Sequence, residues 1–226
     1  MIEAVDTGAS SLSPGDLPDV FHFAFGHAAL IHGVAGRSGG VSEPPFDSLN
    51  LSVKAGDEPA AVLANRRLLE SHIGDARVRF ALGRLRHGND VVVFQTGGLI
   101  PALAPPSLGD WPMFDADAAV SDVPGIMLVM TFADCVPVTL YDAEHQACGL
   151  AHAGWRGTAK RICSNTVRTM VQAFGTDPSA LHVGIGPSIG SCCYTVGADV
   201  RDEFTAAYGA MSDAWVTEGR LDLWEA

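Results

Sequence analysis

Cys135 and His152 are the residues whose side chains and positions first point to chemistry. Each follows an apolar run and stands just before a proline or a glycine. The chain between them is long enough for a strand, a turn and another strand, so both residues can end on the same rim of one sheet. Reactive side chains are commonly carried at loop ends on a rigid sheet. The pair therefore predicts a metal site, a nucleophile–base dyad or two structural residues.

His87 is a third candidate, because it lies in the strand-to-strand corner formed by residues 86–90. Catalytic zinc commonly has three protein ligands, drawn from thiolates and imidazoles among others, and keeps a fourth position open. His87, Cys135 and His152 would form such a set. A Cys135–His152 dyad for acyl or glycosyl transfer and simple packing, with cysteine as a small hydrophobe, are the open alternatives. The adjacent Asp134 orients a histidine, binds substrate or only caps a turn.

The remaining cysteines are predicted to serve packing. Cys148 falls within a strand and Cys163 on the apolar face of a helix, which favours core positions for both. Cys192 and Cys193 are neighbours in a loop, where we expect their side chains to diverge and to pack near the site, with redox chemistry as the alternative. The five cysteines show no disulfide framework, which predicts free thiols in a reducing cytoplasm.

Composition excludes several classes of partner. The 226 residues are 47% apolar and 18% charged, with a formal net charge of −12. Such a surface repels phosphate backbones and anionic lipids, and no run approaches the ~20 apolar residues of a membrane span. We therefore expect neither a nucleic acid nor a membrane partner. The length and the lack of a linker or repeat predict an N-terminal arm over residues 1–20 and a single domain over 21–226.

Apolar runs and helical spacing predict an α/β chain. Three helices are predicted. One runs from the N-cap Asp57, with Pro59 in its first turn, to a stop at Gly74, another lies between Gly157 and Gly175, and the last covers 199–208. Short apolar runs predict strands, of which 126–130 is expected to be fully buried. Residues 97–112 predict an irregular loop. The predicted strands cover 76–82, 91–94, 126–130, 136–141, 147–151 and 181–186.

Positive charge gathers where the second predicted helix begins, at Arg156, Lys160 and Arg161. Cations at a helix N-terminus oppose the helix dipole unless an anion binds there. The pattern therefore favours an anionic substrate group near Arg156, or side chains that simply reach solvent.

One family pattern runs through most of the chain, from about residue 36 to the end. Its most specific stretches are Ala133-Asp134-Cys135-Val136-Pro137 and Ala151-His152-Ala153-Gly154-Trp155-Arg156-Gly157, with Arg37-Ser38-Gly39-Gly40, His87-Gly88, Ala116-Asp117-Ala118 and Cys192-Cys193-Tyr194 among the others. The chain resembles the family variously called polyphenol oxidase, laccase-domain or YfiH-like purine nucleoside phosphorylase proteins. The resemblance implies an α/β sandwich of mixed sheets with outer helices. It also implies a zinc or copper site on His87, Cys135 and His152.

The resemblance implies an activity as well. It is phosphorolysis of adenosine, inosine and methylthioadenosine to free base and ribose 1-phosphate, with deamination of adenosine beside it. Zn²⁺ is the expected ion, with Cu²⁺ as the alternative, and it would activate water or a phosphate oxygen. Arg37 and Arg156 are candidates for holding phosphate or ribose oxygens, since arginine binds oxyanions bidentately. Asn50 is a candidate for bonds to sugar or base, and Cys135 is a ligand or, without metal, a base.

Two other functions stay open. Copper-dependent phenol oxidation is implied by older family naming. It is disfavoured because multicopper oxidases need many paired histidines to hold several coppers, whereas this chain has eight histidines and few of them are well placed. A cysteine hydrolase that edits cell-wall precursors would use Cys135 as its nucleophile. The chain departs from the family pattern at Leu85-Arg86, where Gln-Val is usual. It also stops at Ala226, so we expect the C-terminal segment of the family to be absent.

Overall fold

The computed structural model describes residues 20–27, 30–98 and 111–226. The arm predicted over 1–20 lies almost wholly outside the described residues, and so does most of the loop predicted over 97–112. In the part of the chain that is described, no helix has both the length and the apolar character needed to cross a bilayer.

Contacts within the chain group into two compact units, which are described separately. The first comprises Met1–Arg79 with Pro105–Trp111, and the second comprises Phe80–Ala104 with Pro112–Ala226. The predicted α/β class with mixed sheets and outer helices is confirmed, whereas the single domain over 21–226 stays a prediction. The first unit contains β1 (Val20–Phe21), β2 (Val34–Ala35) and α1 (Pro59–Ile73).

Helix α1 covers the residues that the sequence predicts. Pro59 stands in its first turn, where a missing N–H leaves no bond unmade, and Gly74 ends it in the left-handed conformation at φ +68°. The N-cap differs by one position: Glu58 is the cap residue, and the Asp57 carboxylate accepts the N–H of Glu58. The helix buries Asn65 completely, so a polar network ties it to the preceding loop.

The second unit carries the strands and helices that surround the candidate residues. Its elements are β3 (Arg79–Gly83), β4 (Val91–Phe94), β5 (Met113–Phe114), β6 (Ala118–Ser121), β7 (Ile126–Val129), β8 (Val136–Asp142), β9 (Ala147–Ala153), α2 (Trp155–Ala159), α3 (Ile162–Phe174), β10 (His182–Ile185), α4 (Ala198–Tyr208), β11 (Val216–Thr217) and β12 (Arg220–Leu221).

A five-stranded sheet in the order β10-β8-β9-β6-β4 is the framework of this unit. Strands β8 and β9 run antiparallel, with Val136 opposite Ala153 and Pro137 opposite His152. Cys135 immediately precedes β8, so this register brings it to the sheet edge where β9 ends. The prediction that Cys135 and His152 share one rim of a sheet is therefore confirmed.

Helix α3 covers one face of this sheet. Ile162 and Met170 are fully buried and join one apolar cluster with Val120 and Leu140 of the strands. Burial of each such side chain stabilises the fold by roughly 1.5–3 kcal/mol. The rim that carries Cys135 and His152 is thereby supported by a packed layer.

The region after Gly154 differs from the predicted single helix. It forms two helices, α2 and α3, which are separated by a break at Lys160 and Arg161, and Arg161 adopts a left-handed φ of +63°. The cations therefore flank a helix break instead of gathering at one N-terminus. Strand β7 also differs, because it is half-buried in a smaller sheet of order β5-β3-β7 and not fully buried.

Candidate active site

Three side chains converge on Gly154, the residue that caps α2. A Cβ at this position would lie 2.9 Å from Cys135 Sγ, 3.4 Å from His152 Cε1 and 3.8 Å from His87 Cδ2. The two imidazole rings stand edge to face, with centroids 5.3 Å apart. The fold thus gathers the three residues that the sequence singles out around a space that only glycine leaves open. Their roles as metal ligands stay a prediction.

The carboxylate of Asp117 forms hydrogen bonds to both histidines. Its Oδ1 accepts the backbone N–H of His87 at 2.9 Å and pairs with Nδ1 of His152 at 3.1 Å, and its Oδ2 accepts the N–H groups of Arg86 and Gly88 at 3.0 and 2.8 Å. The residue is only 1% exposed. Burial alone raises the pKa of Asp117, but the three backbone donors and the neighbouring histidine hold that pKa below its ordinary value. The carboxylate therefore stays ionised.

The corner at His87 depends on this carboxylate. His87 has a left-handed φ of +57°, which costs a non-glycine residue roughly 1–2 kcal/mol. Three successive N–H groups form a concave nest of the kind that holds anions, and here the anion is the side chain of Asp117. The hydrogen bonds offset the backbone cost and set the direction in which His87 leaves the chain.

His152 is held in one tautomer. A carboxylate only accepts, so the Nδ1 that bonds to Asp117 carries the ring proton and Nε2 keeps its lone pair. The backbone N–H of His152 also donates to the Asp117 carbonyl oxygen at 2.7 Å. Burial lowers the pKa of His152 against the opposing effect of Asp117, and nearby His87 lowers it further. The imidazole is therefore neutral at pH 7, and the Phe132 ring lies 5.5 Å away.

Cys135 follows a tight turn at Asp134, which has φ +77°. The carbonyl oxygen of Asp134 accepts the N–H of Ile189 at 2.9 Å, which ties this turn to the loop after β10. Burial raises the pKa of Cys135, and the charges of Asp134 and Asp117 raise it further. A nucleophilic cysteine normally has a lowered pKa. The thiol is therefore protonated near neutral pH until a base or a bound cation removes its proton.

The donors at Gly154 fit zinc in their chemistry. Thiolate and imidazole are both common zinc ligands, and a histidine whose other nitrogen bonds to a carboxylate is the usual arrangement around a bound ion. Among the residues that the structure describes, no three His, Cys, Asp or Glu side chains are already spaced as a metal site. The fit is thus one of donor type and location, which small side-chain rotations would have to complete.

Arg156 lies in α2, two residues after Gly154, and its role as an oxyanion-binding group stays a prediction. Its guanidinium stacks over the Trp155 ring, 4.0 Å from the centroid. Burial raises the pKa of the nearby Tyr194, as do Cys135 and Asp134, while Arg156 opposes the shift. Tyr194 therefore has both Cys135 and Arg156 among its electrostatic neighbours.

Two further predicted contacts, Arg37 and Asn50, lie in the first unit and have local partners there. Arg37 Nη2 pairs with the Asp47 carboxylate at 3.1 Å, and its side chain is 75% exposed. The Asn50 amide donates to the Ser52 carbonyl and to Asp57 Oδ2, and it accepts the Ser52 N–H. Loop bonds therefore use both amide hydrogens of Asn50. A substrate contact by either residue stays a prediction.

The other cysteines follow the sequence in part. Burial raises the pKa of Cys148 and of Cys163 to about 11, as expected for thiols in the interior. The predicted divergence of Cys192 and Cys193 is wrong, since their Sγ atoms lie 3.2 Å apart and both residues are exposed. A turn in which Gly190 accepts the N–H of Cys193 folds the two thiols to one side.

The sequence reasoning missed Asp117, Phe132 and Tyr194 as members of the site. For Asp117 a signal was available, because a single carboxylate stands between Ala116 and Ala118 just before an apolar strand. A carboxylate in such surroundings has to be hydrogen-bonded if it is buried. No comparable signal marked Phe132 or Tyr194, whose positions depend on loop paths.

Residues 31–226 match a family described as multi-copper polyphenol oxidoreductase laccase. A Deinococcus radiodurans protein named purine nucleoside phosphorylase is 38% identical over 195 residues, which is 86% of this chain and 70% of that protein. Purine nucleoside phosphorylase YlmD of Geobacillus stearothermophilus is 35% identical over 180 residues, which is 77% of this chain and 63% of the relative. The chain thus spans about two thirds of the length of these relatives.

Two solved structures share the fold. The crystal structure of YlmD from Geobacillus stearothermophilus matches with a TM-score of 0.77 at 32% identity, covering 88% of this chain and 74% of the other. The structure of the Bacillus licheniformis hypothetical protein YfiH matches with a TM-score of 0.75 at 32% identity, covering 85% and 73%.

Proposed function

The chain belongs to the family described as multi-copper polyphenol oxidoreductase laccase, and on that premise we propose that it cleaves purine nucleosides with phosphate. Similar proteins from Deinococcus radiodurans and Geobacillus stearothermophilus bear the name purine nucleoside phosphorylase. In this reaction the glycosidic C–N bond breaks, a C–O bond to phosphate forms, and the phosphate proton ends on the base. Adenosine, inosine and methylthioadenosine are the substrates we propose, with deamination of adenosine as a second reaction.

The convergence of Cys135, His152 and His87 on Gly154 is the observation that carries the proposal. The three side chains come from separate segments of the chain, and one carboxylate, that of Asp117, bonds to two of these residues. A buried carboxylate with four donors costs conformational freedom and desolvation. A cost of this kind is typical of a site that has to hold its side chains in fixed directions.

We propose that His87, Cys135 and His152 hold Zn²⁺, with copper as the alternative ion. When bound, the ion would supply Lewis-acid activation of a water or phosphate oxygen. His152 is suited to its part because its Nε2 lone pair is available while Asp117 retains the Nδ1 proton. Water has little access to the His152 ring, because the residue is only 3% exposed and the Phe132 ring lies 5.5 Å from it.

Arg156 is the group we propose for phosphate. A chain with net charge −12 needs a local cation to attract a dianion. Guanidinium groups form paired bonds to phosphate oxygens, and stacking on Trp155 limits the orientations that Arg156 samples. Arg156 therefore acts by binding and orienting the attacking group.

Zinc-loaded protein, inosine and phosphate test the proposal directly. We expect ribose 1-phosphate and hypoxanthine in equal amounts, formed only when phosphate is present, and inosine from adenosine in a parallel reaction. Cys163→Ser is a matched control, since its thiol lies in α3 and packs against the apolar core cluster. Full zinc occupancy with no ribose 1-phosphate from any of the three nucleosides would overturn the proposal.

Cys135→Ser separates this function from a cysteine hydrolase. Loss of both bound zinc and phosphorolysis supports ligation by the thiol. Loss of activity with zinc retained assigns Cys135 a nucleophilic role instead. Metal content of His87→Ala, measured by elemental analysis of the purified protein, tests the second ligand independently of activity.

A further inference from the structure

Two further thiols, those of Cys192 and Cys193, lie next to each other and are not part of the group formed by His87, Cys135 and His152. Their Sγ atoms are 3.2 Å apart, both residues are exposed, and both thiols are free. Neighbouring side chains on an extended chain point to opposite sides. A shared direction for two adjacent cysteines therefore requires a particular backbone turn.

Hydrogen bonds on both sides hold that turn. The carbonyl oxygen of Gly190 accepts the N–H groups of Cys193 and Tyr194 at 2.9 and 3.1 Å. The Arg220 guanidinium donates to the carbonyl oxygen of Cys192, and the Leu221 N–H donates to that of Tyr194 at 3.1 Å. Because β12 contributes two of these bonds, the fold holds the two thiols together.

The spacing disfavours a disulfide and favours a chelate. Adjacent Cα atoms lie only about 3.8 Å apart across a trans peptide, less than the ~4.4–6.8 Å usual for a disulfide, which makes such a ring strained and easily reduced. Two sulfurs 3.2 Å apart are close enough to bind the same thiophilic atom. For bonds of about 2.3 Å the sulfur–ion–sulfur angle is about 88°, well below the tetrahedral angle that zinc prefers.

We propose that Cys192 and Cys193 form a dithiol site that captures soft trivalent ions of the arsenic class. With an organoarsenic oxide, two As–S bonds form, and the arsenic oxygen leaves as one water that carries both thiol protons. Arsenic stays trivalent, so no oxidant or reductant is needed. An angle near 90° is typical of a pyramidal three-coordinate atom, which the two sulfurs and one organic group would complete.

The surroundings assist capture in one respect, because both thiols reach solvent without movement of the chain. The hydrogen bond shared with Cys192 raises the pKa of Cys193, and Arg220 opposes that shift only in part. Cys193 therefore reacts as the thiol, whose proton leaves in the water. Arsenic capture by these two thiols does not depend on the nucleoside reaction, so its test needs no measurement of that activity.

Phenylarsine oxide is the probe. The reduced full-length chain is incubated with one equivalent, then challenged with excess 2-mercaptoethanol, and the intact mass is measured. We expect one phenylarsenic group per chain that resists this monothiol and is released by 2,3-dimercaptopropanol. Cys192→Ser and Cys193→Ser should each lower the retained arsenic by about 100-fold, because a single thiol lacks the advantage of a linked second bond.

Cys135→Ser and Cys163→Ser are the controls, and both should retain the arsenic group. Cys192 and Cys193 are exposed, so serine at either position leaves no packing defect. A thermal melt of each variant and each control checks the fold. Retention that survives the double change Cys192→Ser/Cys193→Ser, or that disappears in Cys135→Ser, would overturn the proposal.

Discussion

Replacement of Gly154 by alanine is expected to damage the converging site without unfolding the protein. The added methyl would lie 2.9 Å from Cys135 Sγ. An ordinary contact is about 3.5–4.0 Å, so the thiol or the helix has to move by roughly 0.6–1.1 Å. The imidazole of His152, at 3.4 Å, has to shift by a few tenths of an ångström, roughly 0.1–0.6 Å on the same measure.

The expected loss of stability in Gly154→Ala is small compared with the expected loss of function. Gly154 has φ −78° and ψ 166°, an extended conformation that alanine adopts readily. Loss of glycine flexibility in the unfolded chain stabilises by about 0.4–1 kcal/mol, while overpacking typically costs about 1–3 kcal/mol. The net loss of unfolding free energy should therefore stay below about 2.6 kcal/mol. Misplacement of a ligand by about 1 Å is expected to lower function by about 100-fold.

Three measurements on Gly154→Ala follow from these magnitudes. Zinc affinity from competition with a chelator should fall by about 10–100-fold, the alkylation rate of Cys135 should change, and the melting temperature should fall by less than about 10 °C. Gly88→Ala is the matched control, because its Cβ would meet Asp117 Oδ2 and Asp90 Oδ2 at ordinary distances of 3.7 and 3.8 Å. Equal zinc affinity and thiol reactivity in both variants would refute the reasoning.

Three further predictions concern stability, each measured by urea unfolding. Asp117→Asn should cost about 3 kcal/mol at pH 7, because an amide nitrogen would face backbone donors, whereas Asp115→Asn on the surface should cost much less. The lowered pKa of Asp117 stabilises the fold above its unfolded value of 3.8, so that cost should shrink as the pH falls below about 4. Asn65→Ala should cost about 2–4 kcal/mol, since Asn65 is fully buried and makes four hydrogen bonds within the first unit; a loss under 1 kcal/mol would contradict this. The pKa of Cys148 is raised from 9.0 to about 11, so the unfolded thiol ionises first and stability is lost as the pH rises through that window. Between pH 8 and 11 the unfolding free energy of Cys148→Ala should therefore fall by about 2 kcal/mol less than that of the parent. Equal falls would contradict the raised pKa of Cys148.

The sequence was sufficient where local rules act. Helix α1 begins at Pro59 and ends at Ile73, before the cap Gly74, because a proline at the start and a glycine after the end act through their own backbone preferences. Strands β8 and β9 were recognisable as apolar runs because burial on both faces removes alternation. The antiparallel pairing of these strands then required Cys135 and His152 to meet at one rim.

Errors arose where a neighbour outside the local segment decided the backbone. The helix expected after Gly157 is divided at Arg161, whose guanidinium donates to the Ala207 carbonyl oxygen and stacks on Tyr208 of α4. A helical pattern contains no information about such a partner. For the same reason, the adjacent thiols at Cys192 and Cys193 were expected to diverge, since the bonds from Arg220 and Leu221 come from a later strand.

The residue types of the candidate site were readable from the sequence alone, since a thiol and two imidazoles beside glycine or proline are chemically distinctive. Only the tertiary structure revealed that Gly154 leaves the space in which they meet, and that Asp117 orients two of them through a nest of backbone donors. The reason is physical: identity belongs to each residue, whereas the direction of a side chain depends on hydrogen bonds and contacts with segments distant in the chain.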